Sequence, residues 1–250
     1  MSFCKKTVVL FFLVLTGINV YAQLRVIERQ PTDMFIFYST SPGKDALDGT
    51  ARNSPFAQAF LKNVDRREPL LIIASDIARD TLALTAQRQR PVFESTIISN
   101  SNYSIASGSS AKRYALVIGI TDYYNDNVKF ANPANDAQDI TSALRKLGYE
   151  VDVRIDVASN DMISAVGDFC KKLGSDQNSE GLFWFGGFGL EINGENYLLP
   201  ADSRITSDSE IRRNSVSLSS LKDDLESTGN NINLIFLDAG RTPPFSSGSR

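Results

Sequence analysis

The sequence predicts an α/β domain built on a mostly parallel β-sheet with helices on both faces. Three observations carry this. Several short runs are apolar without interruption, as strands buried on both faces are: Met34-Phe35-Ile36-Phe37-Tyr38, Leu182-Phe183-Trp184-Phe185 and Asn233-Leu234-Ile235-Phe236-Leu237. Between the later runs lie segments whose apolar residues recur at helical spacing, and strand alternating with helix implies βαβ units. The chain has 250 residues, a length that can bury one large core, so one domain is expected.

In chain order, residues 34–38 form the first predicted strand. Asn53-Ser54-Pro55 reads as the cap and first turn of a helix running to about residue 61. A second helix is expected from about 69 to 85, with Leu70, Ile73, Ile77 and Leu84 on one stripe. Residues 94–112 are rich in Ser, Asn, Gly and Ala without periodicity, the composition of a flexible or loosely draped linker. Residues 114–120 are a strand. Asn135 or Asp136 caps a helix with Ile140, Leu144 and Leu147 on its inner face, stopped by Gly148. A strand at 151–155 follows. Ser159 or Asn160 then caps a helix with Ile163, Val166, Cys170 and Leu173 inward, ended by Gly174. After the strand at 182–185, Leu218, Leu221 and Leu225 mark a further helix before the last strand at 233–237.

Residues 1–22 read as a signal peptide. Lys5 and Lys6 precede an apolar run of about a dozen residues, too short to span a bilayer, and Val20-Tyr21-Ala22 has small side chains where a signal peptidase reads. The expected location is periplasmic or extracellular, with no membrane contact after cleavage. Removing Lys5 and Lys6 takes the net charge from −3 to −5, which argues against a nucleic-acid face. Cys4 would leave with the signal, so Cys170 stands alone and no internal disulfide forms. Cys170 sits on a predicted inner helix face and reads as a core thiol rather than a nucleophile. The chain contains no histidine. This excludes every Ser-His, Cys-His or His-ligated metal mechanism and leaves carboxylate chemistry as the main alternative. No acidic spacing matches a known metal loop, and no cofactor or metal is expected.

In an open parallel sheet, sites form beyond the carboxyl ends of the strands. Two strands here end in unusual turns, Gly186-Gly187-Phe188-Gly189 and Asp238-Ala239-Gly240-Arg241. Together with Arg113-Tyr-Ala-Leu-Val-Ile-Gly119, Asn132-Pro-Ala-Asn-Asp-Ala-Gln-Asp139, Leu144-Arg-Lys-Leu-Gly-Tyr149 and Gly194-Glu-Asn-Tyr-Leu-Leu-Pro-Ala-Asp202, they resemble, in order, motifs of the caspase-like cysteine proteases. The likeness is to the bacterial, metacaspase-related branch (peptidase C14 type), and it covers about residues 113–245.

The resemblance implies the three-layer αβα sandwich of the caspase/haemoglobinase type. It also implies a Cys-His dyad, with the histidine in a Tyr-Ala-Gly-His-Gly turn and the cysteine in Asp-Ala-Cys-Arg. Phe188 stands at the first position and Gly240 at the second. A phenyl ring accepts no proton and glycine has no nucleophile, so the expected product of this sequence is a pseudoprotease without catalytic residues.

The family's small-subunit segment normally follows the nucleophile strand. Here Phe37-Tyr-Ser-Thr-Ser-Pro-Gly43, Gly49-Thr-Ala-Arg-Asn-Ser-Pro-Phe56 and Gln89-Arg-Pro91 resemble that segment and stand at the front. The expected order is a circular permutation: small-subunit-like residues 23–93, linker 94–112 and large-subunit-like residues 113–250, together one domain over 23–250. Residues 34–38 should then lie beside 233–237.

By the same resemblance a vestigial cleft lies over the strand ends, with an extended peptide against the segment after Tyr38. Phe188, Gly189, Asp238, Gly240, Ser39, Thr40 and Arg52 are its expected residues, with the stretch 44–53 along the wall. Phe188 would form an apolar floor. Asp238 would select basic side chains or cap a turn, and Arg52 would stand in the pocket wall or act as a solvated or capping residue. The expected partner is a peptide or protein. A rebuilt carboxylate site, or a structural role as a homodimer, are the alternatives.

Overall fold

The computed structural model describes residues 32–97, 102–108, 110–124, 130–204 and 207–239. The expectations for residues 1–22 and for Gly240 fall outside them. The large sheet contains β1 (Asp33–Tyr38), β2 (Val92–Ser95), β3 (Lys112–Gly119), β4 (Glu150–Ile155), β5 (Ser179–Gly186) and β9 (Ile232–Asp238) in the order β2-β1-β9-β5-β3-β4. All of its pairings are parallel except β1 with β2. A second sheet has the order β6-β7-β8, from β6 (Gly189–Ile192), β7 (Glu195–Leu198) and β8 (Val216–Ser217).

Two hydrophobic layers flank the large sheet. One face packs against α1 (Pro55–Asn63), α2 (Leu70–Leu84) and α3 (Pro133–Lys146) through Phe37, Phe56, Phe60, Trp184 and Phe236. These rings meet in edge-on, stacked and tilted pairs at centroid separations of 4.9–6.0 Å, the spacing aromatic quadrupoles favour. The other face packs against α4 (Ser159–Gly174), α5 (Asp208–Asn214) and α6 (Leu218–Thr228) through Phe183, Phe185, Leu221 and Leu225. All eight residues of β5 are buried, as expected for a central strand covered on both faces. This is the predicted αβα arrangement.

Met34 pairs with Asn233 and Tyr38 with Leu237, the adjacency expected for residues 34–38 and 233–237. Ser54 caps α1, its hydroxyl accepting from the Ala57 N–H at 3.1 Å, with Pro55 in the first turn.

Other local expectations are corrected. Asn132, not Asn135 or Asp136, occupies the N-cap of α3, because Pro133 starts the helix. Ala158 occupies that position for α4 rather than Ser159 or Asn160. The buried face of α4 is Met162, Ala165, Val166, Phe169 and Leu173, whereas Ile163 is 45% exposed. Cys170 is half-buried at the margin of that face, and burial followed by the charge of Asp224 pushes its thiol up to about 11. Leu84 is 52% exposed, and Thr81 takes the last inward position of α2.

The stretch 94–112 is not loosely draped throughout. Glu94 and Ser95 belong to β2, while Tyr103 and Ile105 are buried. Tyr103 donates to Glu180 Oε2 at 3.1 Å, and Arg113 Nε donates to the same oxygen at 3.1 Å. The small sheet and α5 are unforeseen elements. Its hairpin turns on Asn193-Gly194, both at positive φ, a pair suited to a two-residue reversal between Ile192 and Glu195.

Candidate functional site

A cavity of about 480 Å³ opens at the carboxyl ends of β1 and β9, where they meet the small sheet. Its apolar floor comes from Tyr38, Leu198 and Leu237, with Leu190 of β6 and Val92 of β2 at the sides. The loop after β1 contributes Thr40 through Asp45, and Ala239 lies where the chain leaves β9. Charged lining residues are Lys44, Asp45, Glu94 and Glu191. Burial, and then the negative charge of Glu94, push the Tyr38 hydroxyl up to about 12, so it stays a neutral donor.

Of the residues expected in a cleft, Thr40 and Gly189 line this cavity. Lys44 and Asp45 are the lining members of the stretch 44–53. Ser39 is fully buried behind the wall: its N–H donates to Leu237 O at 2.8 Å and its carbonyl accepts from Gln89 Nε2 at 2.9 Å. Those bonds fix the loop that carries Thr40. The hydroxyl oxygens of Ser39 and Thr40 are buried and find no hydrogen-bond partner among the described residues.

Phe188 does not form a cleft floor. It is 1% exposed and sits within an aromatic cage, its ring 4.7 Å from Tyr123 and 4.6 Å from Phe130. The Phe188 N–H donates to the Tyr123 hydroxyl at 2.6 Å, and its carbonyl accepts from the Leu199 N–H at 3.1 Å. Gly187 permits this contact, because a Cβ there would lie 2.5 Å from Tyr123 Oη and 3.0 Å from the Phe185 ring.

Asp238 is 1% exposed and so presents no carboxylate to the cavity. It pairs with Gly186 in register and accepts from the Ser54 hydroxyl through Oδ2 at 2.5 Å. The Ser54 N–H donates to Asp136 Oδ1 at 3.1 Å. Ser54, from the front segment, thus bridges two buried carboxyl groups of the later segment. Burial, and then the charge of Asp238, push Asp136 up to about 7. Sequence reasoning missed this cluster: Asp136 looked like a helix cap and Ser54 is 82 residues from it.

Arg52 is likewise not in the cavity wall. Its guanidinium holds Asp139 through two bonds, Nε to Oδ2 at 2.9 Å and Nη2 to Oδ1 at 3.1 Å. Asn53 Nδ2 donates to the same carboxylate at 3.0 Å, and Asn135 Nδ2 donates to Arg52 O at 3.2 Å. The loop leading into α1 is therefore fastened to the first turns of α3. Among the described residues, no group of three or more acidic, Cys or His side chains is placed to hold a metal ion. No helix among them is long and apolar enough to cross a membrane.

Comparison with known proteins gives one family. The Caspase domain model (Peptidase_C14) matches residues 21–103 and 112–249. The mucosa-associated lymphoid tissue lymphoma translocation protein 1 homolog of Mus musculus is 31% identical over 91 residues, covering 36% of this chain and 11% of that protein. The Homo sapiens protein of that name matches with the same identity and coverage. The chain thus spans about a tenth of the length of these curated relatives. The Drosophila initiator caspase Dronc aligns at a TM-score of 0.38 and 15% identity, over 55% of this chain and 50% of that one.

Proposed function

The chain belongs to the caspase domain family, and on that premise we propose that it is a catalytically inactive member, exported, that binds a peptide or protein partner in the cavity beyond β1 and β9. The observation that carries this reading is the absence of histidine from the whole chain. A thiol protease needs a base to hold its nucleophile as thiolate, and the histidine that serves in the family's dyad is missing from the sequence. The remaining thiol, Cys170, is held protonated by burial on α4, on the opposite side of the sheet from α1–α3. Phe188, at the position the family likeness gives to the histidine, is packed into the core.

The cavity supports binding instead. It joins apolar side chains (Val92, Leu190, Leu198, Leu237) to a comparable share of polar and charged ones, among them Lys44, Asp45, Glu94 and Glu191, a mixture suited to a peptide's side chains and backbone. The order of the segments is read as a circular permutation. Its support is that β1 enters the sheet beside β9, about 200 residues away in sequence, the adjacency expected from motif order. Export rests on the composition of residues 1–22.

Two measurements test the function. Purified chain incubated with fluorogenic Arg, Lys and Asp peptides is expected to show no turnover above buffer. A peptide library is expected to yield ligands whose binding is lost in Leu190→Lys, which puts a charge on the cavity's apolar side. Hydrolysis that disappears in Leu190→Lys would sink the reading. N-terminal mass analysis of secreted protein, expected to begin at Gln23, tests export.

A further inference from the structure

Resting on the reading of the cavity as a peptide site, we propose that Asp136, Ser54 and Asp238 form a proton-operated latch: with Asp136 protonated the loop 39–54 walls the cavity, and when that proton leaves to solvent the loop opens and a bound partner is released.

The loop connects the latch to the cavity mechanically. It leaves β1, lines the cavity with Thr40 through Asp45, and returns to the start of α1 at Ser54. Both of its ends grip the end of β9. The Ser39 N–H donates to Leu237 O at 2.8 Å, and the Ser54 hydroxyl donates to Asp238 Oδ2 at 2.5 Å. Leu237 and Ala239, the chain neighbours of Asp238, line the cavity. Between the two ends, the Leu47 N–H donates to Gln89 Oε1 at 2.9 Å, and Asn132 Nδ2 donates to Asp48 O. Those ties are neutral amide bonds. Arg52 and Asn53 hold Asp139, whose carboxyl the Arg52 guanidinium keeps below its ordinary range, so that tie is unchanged above pH 5. The Ser54 tie is different, because it ends on two carboxyl groups buried side by side.

Asp136 and Asp238 are each 1% exposed, and Asp238 Oδ1 finds no hydrogen-bond partner among the described residues. A buried carboxylate with an unpaired oxygen is costly, and a second ionised carboxylate beside it adds repulsion. The groups that face Asp136 are Asp238 from β9, Asn53 and Ser54 from the loop, and the charge of Arg52, which Asp139 engages one turn along α3. Burial, and then the charge of Asp238, place the Asp136 titration at about 7. The chain has no histidine, so the side chain that ordinarily switches between pH 5 and 8 is missing, and Asp136 stands in that window instead. Burial pushes Cys170 and Tyr38 out of it, to about 11 and about 12.

The sign follows from linkage. The closed form holds the Asp136 proton more tightly than an opened form whose carboxyl meets water near its ordinary value of 3.8. Opening is therefore favoured as pH rises, by about tenfold between pH 6 and pH 8. A partner that needs the walled cavity loses affinity in proportion to the closed fraction.

Amide hydrogen exchange by NMR, corrected for the intrinsic rate at each pH, reads the latch itself. The N–H groups of Ser39, Ser54 and Ala57 should exchange faster than those of the central strand β5, and about tenfold more readily at pH 8 than at pH 6. Asp136→Asn, which keeps the group neutral, should hold them at the pH 6 level throughout. Should that variant fail to fold, Asp238→Asn replaces it: with the facing charge gone, the midpoint of the same exchange profile should move to lower pH. Exchange of these three amides no faster than β5, or a pH dependence that survives Asp136→Asn, overturns the inference.

The cavity is read with a fluorescein-labelled peptide, selected at pH 6 from a random library on the immobilised chain and followed by anisotropy. Its affinity should be at least threefold weaker at pH 8 than at pH 6 for the natural chain, and unchanged for Asp136→Asn. Equal affinity at both pH values overturns the latch as a control of the cavity and leaves the peptide reading standing. If no peptide is captured at pH 6 while the exchange results hold, the peptide reading falls and the latch on the loop stands.

Discussion

Asp136 and Asp238 are both 1% exposed, and Ser54 bonds to each. A buried carboxyl beside a second one favours the neutral form, so Asp136 titrates higher in the folded chain, at about 7, than at its ordinary value of 3.8. With the folded value above the unfolded one, its stabilising contribution is complete below about pH 4. It is lost as pH rises through about 7. Stability measured by urea denaturation should therefore fall between pH 5 and pH 8 by on the order of 2–4 kcal/mol from this group. Asp136→Asn should flatten that slope, and an unchanged slope would refute the assignment. Ser54→Ala removes the α1 cap and leaves Asp238 Oδ2 without its donor; an expected loss of about 2–3 kcal/mol is readable from the denaturation midpoint. The Ser54 cap was legible in the sequence; the carboxyl pair it bridges was not, because the cluster is assembled from three distant segments. The chain shows only an ordinary helix cap and two ordinary acids.

Among the elements, the strands were the most legible, since an uninterrupted apolar run in a parallel sheet has almost no other physical meaning. β5 and β9 are buried along their whole length. The inner face of α4 was misjudged because both Met162 and Ile163 are apolar, and only the neighbouring α6 and sheet decide which of the two turns inward. β6 and β7 form a local hairpin whose Asn193-Gly194 turn was a signal the sequence reading passed over, whereas β8 has only two residues and is held by β7 earlier in the chain, so local pattern could not announce it. Helix-to-sheet distance is set at one point by Gly119. A Cβ there would meet the Pro133 carbonyl, and lie 3.0 Å from the Ala137 Cβ. Gly119→Ala should push α3 off β3 and cost about 2–3 kcal/mol, measured as a lowered midpoint with an unchanged m-value.

Across the whole molecule, the two halves of the chain are joined at both ends of the strands. At the carboxyl end Arg52, Asn53 and Ser54 fasten the front segment to α3 and β9. At the amino end Tyr103 accepts from the Leu70 N–H of the front segment and donates to Glu180, which pairs with Arg113, their side chains 7% and 6% exposed. Glu180→Gln strands a buried guanidinium and should cost about 3–5 kcal/mol in urea denaturation; a shift under 1 kcal/mol would mean the network is not structural. The strand ends were identified from sequence as the place to look, and the cavity lies there. Which side chains face it depended on Tyr123, Phe130 and Ser54, all remote from the two turns. The cage around Phe188 bears on the proposed reading of this position. If protease ancestry is restored on paper, as Phe188→His with Gly240→Cys, the new imidazole arrives in an enclosed, oily compartment that disfavours its charged form. The reverted pair should therefore stay silent on peptide substrates until Tyr123 and Phe130 are also changed. On the proposed reading of Phe188 as the family's histidine position, installing the chemistry would first require unpicking the scaffold around it.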